Sequence, residues 1–249
     1  MPAKDAGRSR CDSIGEAEDT GGRVQGPPVR GLFVTGTDTG AGKSVVAAAI
    51  CAGLVARGER VAAFKPVITG TDEPSGEWPP DHELLGAATG QRPDEVAPLR
   101  FGPAVSPHLA AELAGTTIDP AQLVAAARRA REWADVLVCE GVGGLLVPFS
   151  PAYSVRDLAA DLGFPLVVTA RPGLGTINHA LLTIEAARAA GLEVRGVVMT
   201  PWPQDPDAMV TSNRETVQRL SGVPVSILGV TSPATLARAG ATLPVGDWL

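Results

Sequence analysis

The chain has 249 residues and a mass of 25.5 kDa, and its 45% hydrophobic content suits one α/β domain with a sizeable core. A net charge of −6 and a pI near 5.1 exclude nucleic acid and anionic membrane as main partners, since either needs a basic surface. Cysteines at 11, 51 and 139 have no paired spacing, so neither a disulfide framework nor a zinc knuckle is expected, and a reducing cytoplasm fits.

Met1–Pro28 mixes charges with many glycines and has no apolar stretch of signal-peptide type. It is expected to be a disordered leader, with a start codon placed too far upstream as the second reading, and residues 29–249 form the folded unit. From Gly31 onward short apolar runs alternate with Ala- and Leu-rich stretches of helical length. The predicted strands are 32–36, 61–65, 135–140, 165–170, 195–200 and 225–230. The predicted helices are 44–57, 120–132, 155–161, 177–190 and 210–220, and "EPSGEWPP" (73–80) reads as a surface loop. Val45–Ala56 is too short to span a bilayer and reads as a buried helix. The alternation is that of βαβ units, so the expected fold is a single-domain α/β parallel sheet with helices on both faces; the Gly-rich loop after the first strand, ending in Gly42-Lys43-Ser44, makes that fold P-loop NTPase-like.

Polar features follow the strands: a Gly-rich loop after the first, Lys65 after the second, Glu140-Gly141 after the third and Arg171-Pro-Gly after the fourth. Ligands of open α/β sheets bind at that edge, and charges placed there need partners. The chain carries 18 arginines but only three lysines, Lys4, Lys43 and Lys65. Lysine in the body is thus confined to the loop and one strand end, where a compact ammonium is needed. The plainer reading of Lys65 is a side chain with a solvated head. His82, His108 and His179 are far apart in sequence, and no histidine metal site is expected.

The loop itself, "TGTDTGAGKS", has Thr37 where a phosphate loop of the usual pattern has its first glycine. Gly40 and Gly42 still permit a backbone that turns successive N–H groups inward, and the helix that follows adds its N-terminal partial charge. Lys43 would then reach the β- and γ-phosphates, and the Ser44 hydroxyl a Mg²⁺ ion.

"FVTGTDTGAGKS" closely resembles the loop of dethiobiotin synthetases, in which Thr for the first glycine is usual. "KPVITGT" (65–71), "PDHELLGAATG", "SPHLAAELAG" (106–115), "CEGVGGLLVPF" (139–149) and "GLGTINHALLTIEAARAAGL" (173–192) follow in that family's order. The resemblance covers essentially 32–230. It implies an ATP- and Mg²⁺-dependent cyclo-ligase that closes a ureido ring on 7,8-diaminononanoate with CO2, through a carbamate and a carbamic-phosphoric anhydride. It further implies a homodimer with shared active sites.

The resemblance also distributes roles. Lys65 and Lys43 are the catalytic lysines, and Ser44, Asp81 and Glu140 the Mg²⁺ ligands. The nucleotide falls to Gly40, Ala41, Gly42, Lys43, Ser44 and Val45, together with Asp81, Glu140, Gly141, Val142, Gly143, Thr200 and Pro201. The substrate falls to Thr69 and Ser106, and its carboxylate to Gly175, Thr176, Ile177 and Asn178 of a second copy. Asp81 also reads as a helix N-cap, and Thr69 as a turn residue bonding its own backbone. The Gly175 segment also reads as an ordinary turn whose first-turn donors are capped or solvated.

One departure stands out: Thr200-Pro201-Trp202 occupies the place where many relatives carry an adenine-reading Asn, which leaves Gly229–Pro233 as the other candidate for the base pocket. Two other functions use a similar loop. A cobyrinate-type amidoligase usually brings a second domain, and a partitioning-type ATPase switch has a second loop lysine where Thr37 or Asp38 stands here.

Overall fold

In the computed structural model, residues 30–74 and 76–249 are described; the expected leader lies outside the described residues. β1 (Arg30–Gly36) leads through the Gly-rich loop into α1 (Lys43–Val55), and β2 (Val61–Phe64) is followed by the short β3 (Val67–Thr69). Next come α2 (Asp81–Thr89), α3 (Pro93–Val96), β4 (Leu99–Phe101), α4 (Pro107–Leu113) and α5 (Pro120–Arg131). β5 (Val136–Glu140), the hairpin strands β6 (Pro148–Ser150) and β7 (Tyr153–Ser154), and α6 (Val155–Leu162) precede β8 (Leu166–Ala170). The remainder is α7 (Thr176–Ala189), β9 (Val194–Trp202), α8 (Ala208–Ser221), β10 (Val225–Gly229), α9 (Leu236–Gly240) and α10 (Val245–Trp248).

The main sheet runs β10-β9-β8-β1-β5-β2 and all its pairings are parallel. All six strands expected from sequence are in it. Alternating strand residues face opposite layers, as the period of two demands. Leu32 and Val34 of β1 pack with α1 and the C-terminal Trp248, while Phe33 packs with Leu123 of α5 and Leu158 of α6. Val168 and Met199 meet Ile184 of α7 and Val217 of α8.

The chain turns back beside β1: β2 lies on the β5 side of it and β8 on the other. The loop after β1 therefore opens into the crevice where such sheets bind ligands. Pro66 has no N–H to donate, so the expected strand 61–65 stops at Phe64 and Lys65 stands just past its end. β3 then pairs with β4 apart from the main sheet.

Candidate active site

The phosphate loop is shaped by positions that only glycine suits. Gly42, the N-cap of α1, has φ 86°, and a Cβ there would sit 2.5 Å from Thr200 Cγ2; Gly40 has φ 71°. Helix α1 begins at Lys43, so its first-turn N–H groups open onto the loop. Lys43 is buried and donates from Nζ to the Asp38 carbonyl at 3.0 Å. Burial holds its pKa below the ordinary lysine value although the Glu140 carboxylate pulls upward.

Two strand-end groups, Lys65 and Glu140, meet beside it with Asp81 and Ser44 from the first turns of α2 and α1. Lys65 Nζ donates to Asp81 Oδ2 and to Glu140 Oε1, both at 2.5 Å, and Ser44 Oγ donates to the same Glu140 oxygen at 2.7 Å. Lys65 is only 4% exposed and Glu140 is fully buried, so the solvated-head reading of Lys65 is overturned. Burial opposes the charge on Lys65, but the two carboxylates more than offset it and raise its pKa, so the side chain stays an ammonium. Burial pushes Glu140 up against the pull of Lys65; it also works upward on Asp81, where Lys65 outweighs it and holds the carboxyl below its ordinary value. The N-cap reading of Asp81 fails as well: Pro80 is the N-cap of α2, no side chain caps the helix, and the Asp81 carboxylate has been drawn to Lys65 instead.

Glu140 Oε2 is buried without a hydrogen-bond partner. An orphaned carboxylate oxygen is costly to desolvate, and here it lies on a group whose other oxygen already gathers Ser44 and Lys65. Ser44, Asp81 and Glu140 offer only oxygen donors, the set a hard divalent cation takes. No group of three or more His, Cys, Asp or Glu side chains is placed to hold a metal ion among the described residues, so such an ion needs further oxygens from phosphate or water.

A cleft of about 630 Å³ collects most of the expected residues: Gly40, Gly42, Lys43, Ser44, Val45, Lys65, Thr69, Asp81, Ser106, Val142 and Gly143 all line it. Ala41 is buried within the loop, and Glu140 reaches the cleft through Ser44 and Lys65. Gly141 is glycine for packing: a Cβ there would lie 2.8 Å from Val155 Cγ1 and 3.2 Å from Phe33. Gly144 lies beside the phosphate loop, its Cβ position at an ordinary contact distance of 3.7 Å from the carbonyl oxygens of Gly36 and Thr37.

An apolar wall of Ile68, Trp78, Leu84, Val105 and Val147 completes the cleft. Sequence reading had missed it, because its members come from five separate segments with no shared spacing.

The remaining expected residues lie outside the cleft. Thr200 is buried with its methyl against Gly42, and Pro201 is exposed. Gly175, at φ 92°, is the N-cap of α7 and no side chain caps that helix. The Thr176 N–H is not a free donor as expected: it bonds the Gly173 carbonyl at 3.2 Å, and its hydroxyl is buried without a partner. Cys51 and Cys139 are buried thiols whose pKa burial raises, which removes them as nucleophiles. No helix among the described residues is long and apolar enough to cross a membrane.

A family model described as an AAA domain matches residues 30–233. Several relatives named ATP-dependent dethiobiotin synthetase match over most of the chain, three of which follow. That of Anaeromyxobacter dehalogenans (strain 2CP-1 / ATCC BAA-258) is 42% identical over 195 residues, 78% of this chain and 86% of the relative. That of Mycobacterium sp. (strain KMS) is 38% identical over 225 residues, 88% and 97%. That of Bacillus subtilis (strain 168) is 35% identical over 205 residues, 82% and 87%. Among solved structures, a ParA family ATPase from Chlorobium tepidum TLS aligns over 87% of this chain and 92% of its own, with TM-score 0.49 and 14% identity, which carries no functional argument.

Proposed function

The chain belongs to the ATP-dependent dethiobiotin synthetase family, and on that premise we propose that it carboxylates and ring-closes 7,8-diaminononanoate with CO2 at the expense of ATP. The observation that carries the reading is the convergence of Lys65, with its two carboxylates, and the phosphate loop on one cleft that also has an apolar wall. A diamine on an alkyl chain needs both halves.

One amine adds to CO2, losing a proton, and gives a carbamate. A carbamate oxygen attacks the γ-phosphorus and ADP leaves; the second amine then attacks the carbonyl carbon and expels phosphate. The reactants are anionic and no protein nucleophile is required, so the work of the chain is positioning and charge neutralisation. Phosphate-loop N–H groups and Lys43 hold the β- and γ-phosphates. Lys65, kept as an ammonium by its two carboxylates, holds the carbamate and the charge moving onto it. Thr69 and Ser106 orient the amines, and Ile68, Trp78 and Val105 take the alkyl chain and exclude water. Ser44, Asp81 and Glu140 would hold Mg²⁺, which would supply positive charge to neutralise the nucleotide phosphates.

The substrate carboxylate has no basic partner in this scheme within one chain. Gly175–Asn178 lies outside the chain's own cleft, and Leu174 beside it is 91% exposed. These facts support a homodimer in which the start of α7 serves the neighbour's site, the helix dipole with the N–H groups of Ile177 and Asn178 receiving the anion. The catalytic unit is 29–249 and works in the cytoplasm.

The test is incubation of the purified chain with diaminononanoate, bicarbonate, Mg²⁺ and ATP. Mass spectrometry should show a product that has gained one CO2 and lost one water, in step with ADP formation. ADP without that product would return the chain to the amidoligase or switch readings.

A further inference from the structure

Arg171, immediately after β8, is exposed, yet its guanidinium is spent on the phosphate loop: Nη2 donates to the Thr39 carbonyl at 2.8 Å and Nε to the Gly40 carbonyl at 3.1 Å. A Cβ on Gly40 would lie 3.0 Å from Arg171 Nη2, so the fork rests against the one loop position that leaves it room. The segment carrying Arg171 is pinned from behind, with Asn213 Nδ2 of α8 donating to the carbonyls of Pro172 at 3.0 Å and Gly173 at 3.2 Å.

The consequence follows from peptide geometry. In a trans peptide the C=O and the next N–H point in opposite directions. Holding the carbonyls of Thr39 and Gly40 on one side therefore commits the N–H groups of Gly40 and Ala41 to the other. Lys43 takes the preceding carbonyl, that of Asp38, at 3.0 Å. Three consecutive loop carbonyls are thus each held by a cation; the Thr39 N–H is taken by the Asp38 carboxylate at 2.7 Å, and the N–H groups of Gly40 and Ala41 are the ones turned to form an anion-binding concavity.

We propose that Arg171 is a positioning residue of the nucleotide site, locking the phosphate loop in its anion-binding shape before nucleotide arrives. It rests on the reading that this loop binds the triphosphate. Arg171 acts through the loop and touches no substrate. Its loss leaves two carbonyls without their charge-assisted bonds, lets their peptides rotate, and weakens the grip on the phosphate chain whatever base is attached. Lysine keeps the charge but lacks the rigid planar fork whose separate nitrogens reach the two carbonyls.

The experiment compares the full chain with Arg171→Ala and Arg171→Lys, using calorimetric binding of ATP and of inorganic tripolyphosphate, steady-state kinetics and thermal melting. Arg171→Ala should weaken both ligands by the same factor, about 10-fold for two charge-assisted bonds. KM for ATP should rise by that factor with kcat much less affected, and Arg171→Lys should recover part of the loss. Arg171 is exposed, so the melting temperature should hardly move; were Arg171→Ala to fail to fold, the Lys variant must still show equal, smaller losses on both ligands. Weakened ATP with unchanged tripolyphosphate would overturn the proposal by placing Arg171 on the nucleoside, and unchanged binding of both would make it an ordinary surface arginine. A parent chain that binds neither ligand overturns the underlying reading of the loop.

Discussion

Replacing Lys65 by Gln removes the charge at the centre of the site while keeping a polar side chain with hydrogen-bond donors. In the parent, Nζ is 2.5 Å from Asp81 Oδ2 and 2.5 Å from Glu140 Oε1, in a position that is 4% exposed. A preorganised charge so shielded from water is worth about 10²-fold or more in kcat when lost. ATP affinity should be nearly kept, because Lys43 and the loop hold the phosphates. The fold also responds: Glu140 keeps Ser44 but loses its buried counter-charge, and breaking such a pair costs about 3–5 kcal/mol when the remaining charge cannot escape. Glu140 escapes by taking up a proton. Its pKa is already raised by burial, and removing the downward pull of Lys65 raises it further. A carboxyl whose folded pKa exceeds its unfolded value is favoured by low pH, and that advantage fades as pH rises through the folded pKa. The deficit of Lys65→Gln should therefore be smallest in acid and grow with pH above the ordinary Glu value of about 4.3. Urea unfolding of parent and variant from pH 5 to pH 8 reads the second effect, and single-turnover product formation with saturating ATP reads the first. A kcat within about threefold of the parent, far short of the loss expected for such a charge, would refute the catalytic role of Lys65.

Gly42→Ala meets both a positive φ and a Thr200 methyl 2.5 Å from the new Cβ, so nucleotide binding should be lost with a stability cost of about 1–3 kcal/mol, read by calorimetry and urea unfolding. Adding Thr200→Ser should relieve the clash but leave the backbone strain, so recovery should be partial. GTP, CTP and UTP should support turnover alongside ATP, because Thr200 is turned onto Gly42 and offers no amide to read the base; turnover with ATP alone would assign base reading to groups such as the backbone of Gly229–Pro233. Mixing inactive Lys43→Ala with inactive Gly175→Glu under subunit exchange should restore about a quarter of parental activity, since half the dimers become mixed and each then holds one intact site. A mixture that stays dead despite proven exchange would show that each chain builds its own carboxylate site.

The parallel sheet was legible because its six strands are short apolar runs that alternate with Ala- and Leu-rich stretches of helical length. β3 and β4 have three residues each and β7 only two, lengths at which no alternation can be seen. They matter, since β3 carries Ile68 and Thr69 into the cleft. The polar half of the site was legible for a physical reason: a charge at the end of an apolar strand has to be partnered, and Lys65 and Glu140 partner each other. What no pattern marked were groups acting through the backbone or by shape. Arg171 was visible only as one of several strand-end features, and Trp78 only as part of a surface loop. Asp81 carries an N-cap residue type at a helix start, and only the approach of Lys65 shows why its carboxylate is used elsewhere.

The claim that the cleft phosphorylates a carbamate oxygen can be tested by following that oxygen. With ¹⁸O-labelled CO2, diaminononanoate, Mg²⁺ and ATP in unlabelled water, and carbonic anhydrase excluded, the attacking oxygen leaves with the phosphoryl group when the second amine closes the ring. The inorganic phosphate should therefore carry one ¹⁸O, matched by one ¹⁸O in the ureido carbonyl of the product. Labelled product accompanied by unlabelled phosphate, with label exchange into water shown to be slow, would contradict the account.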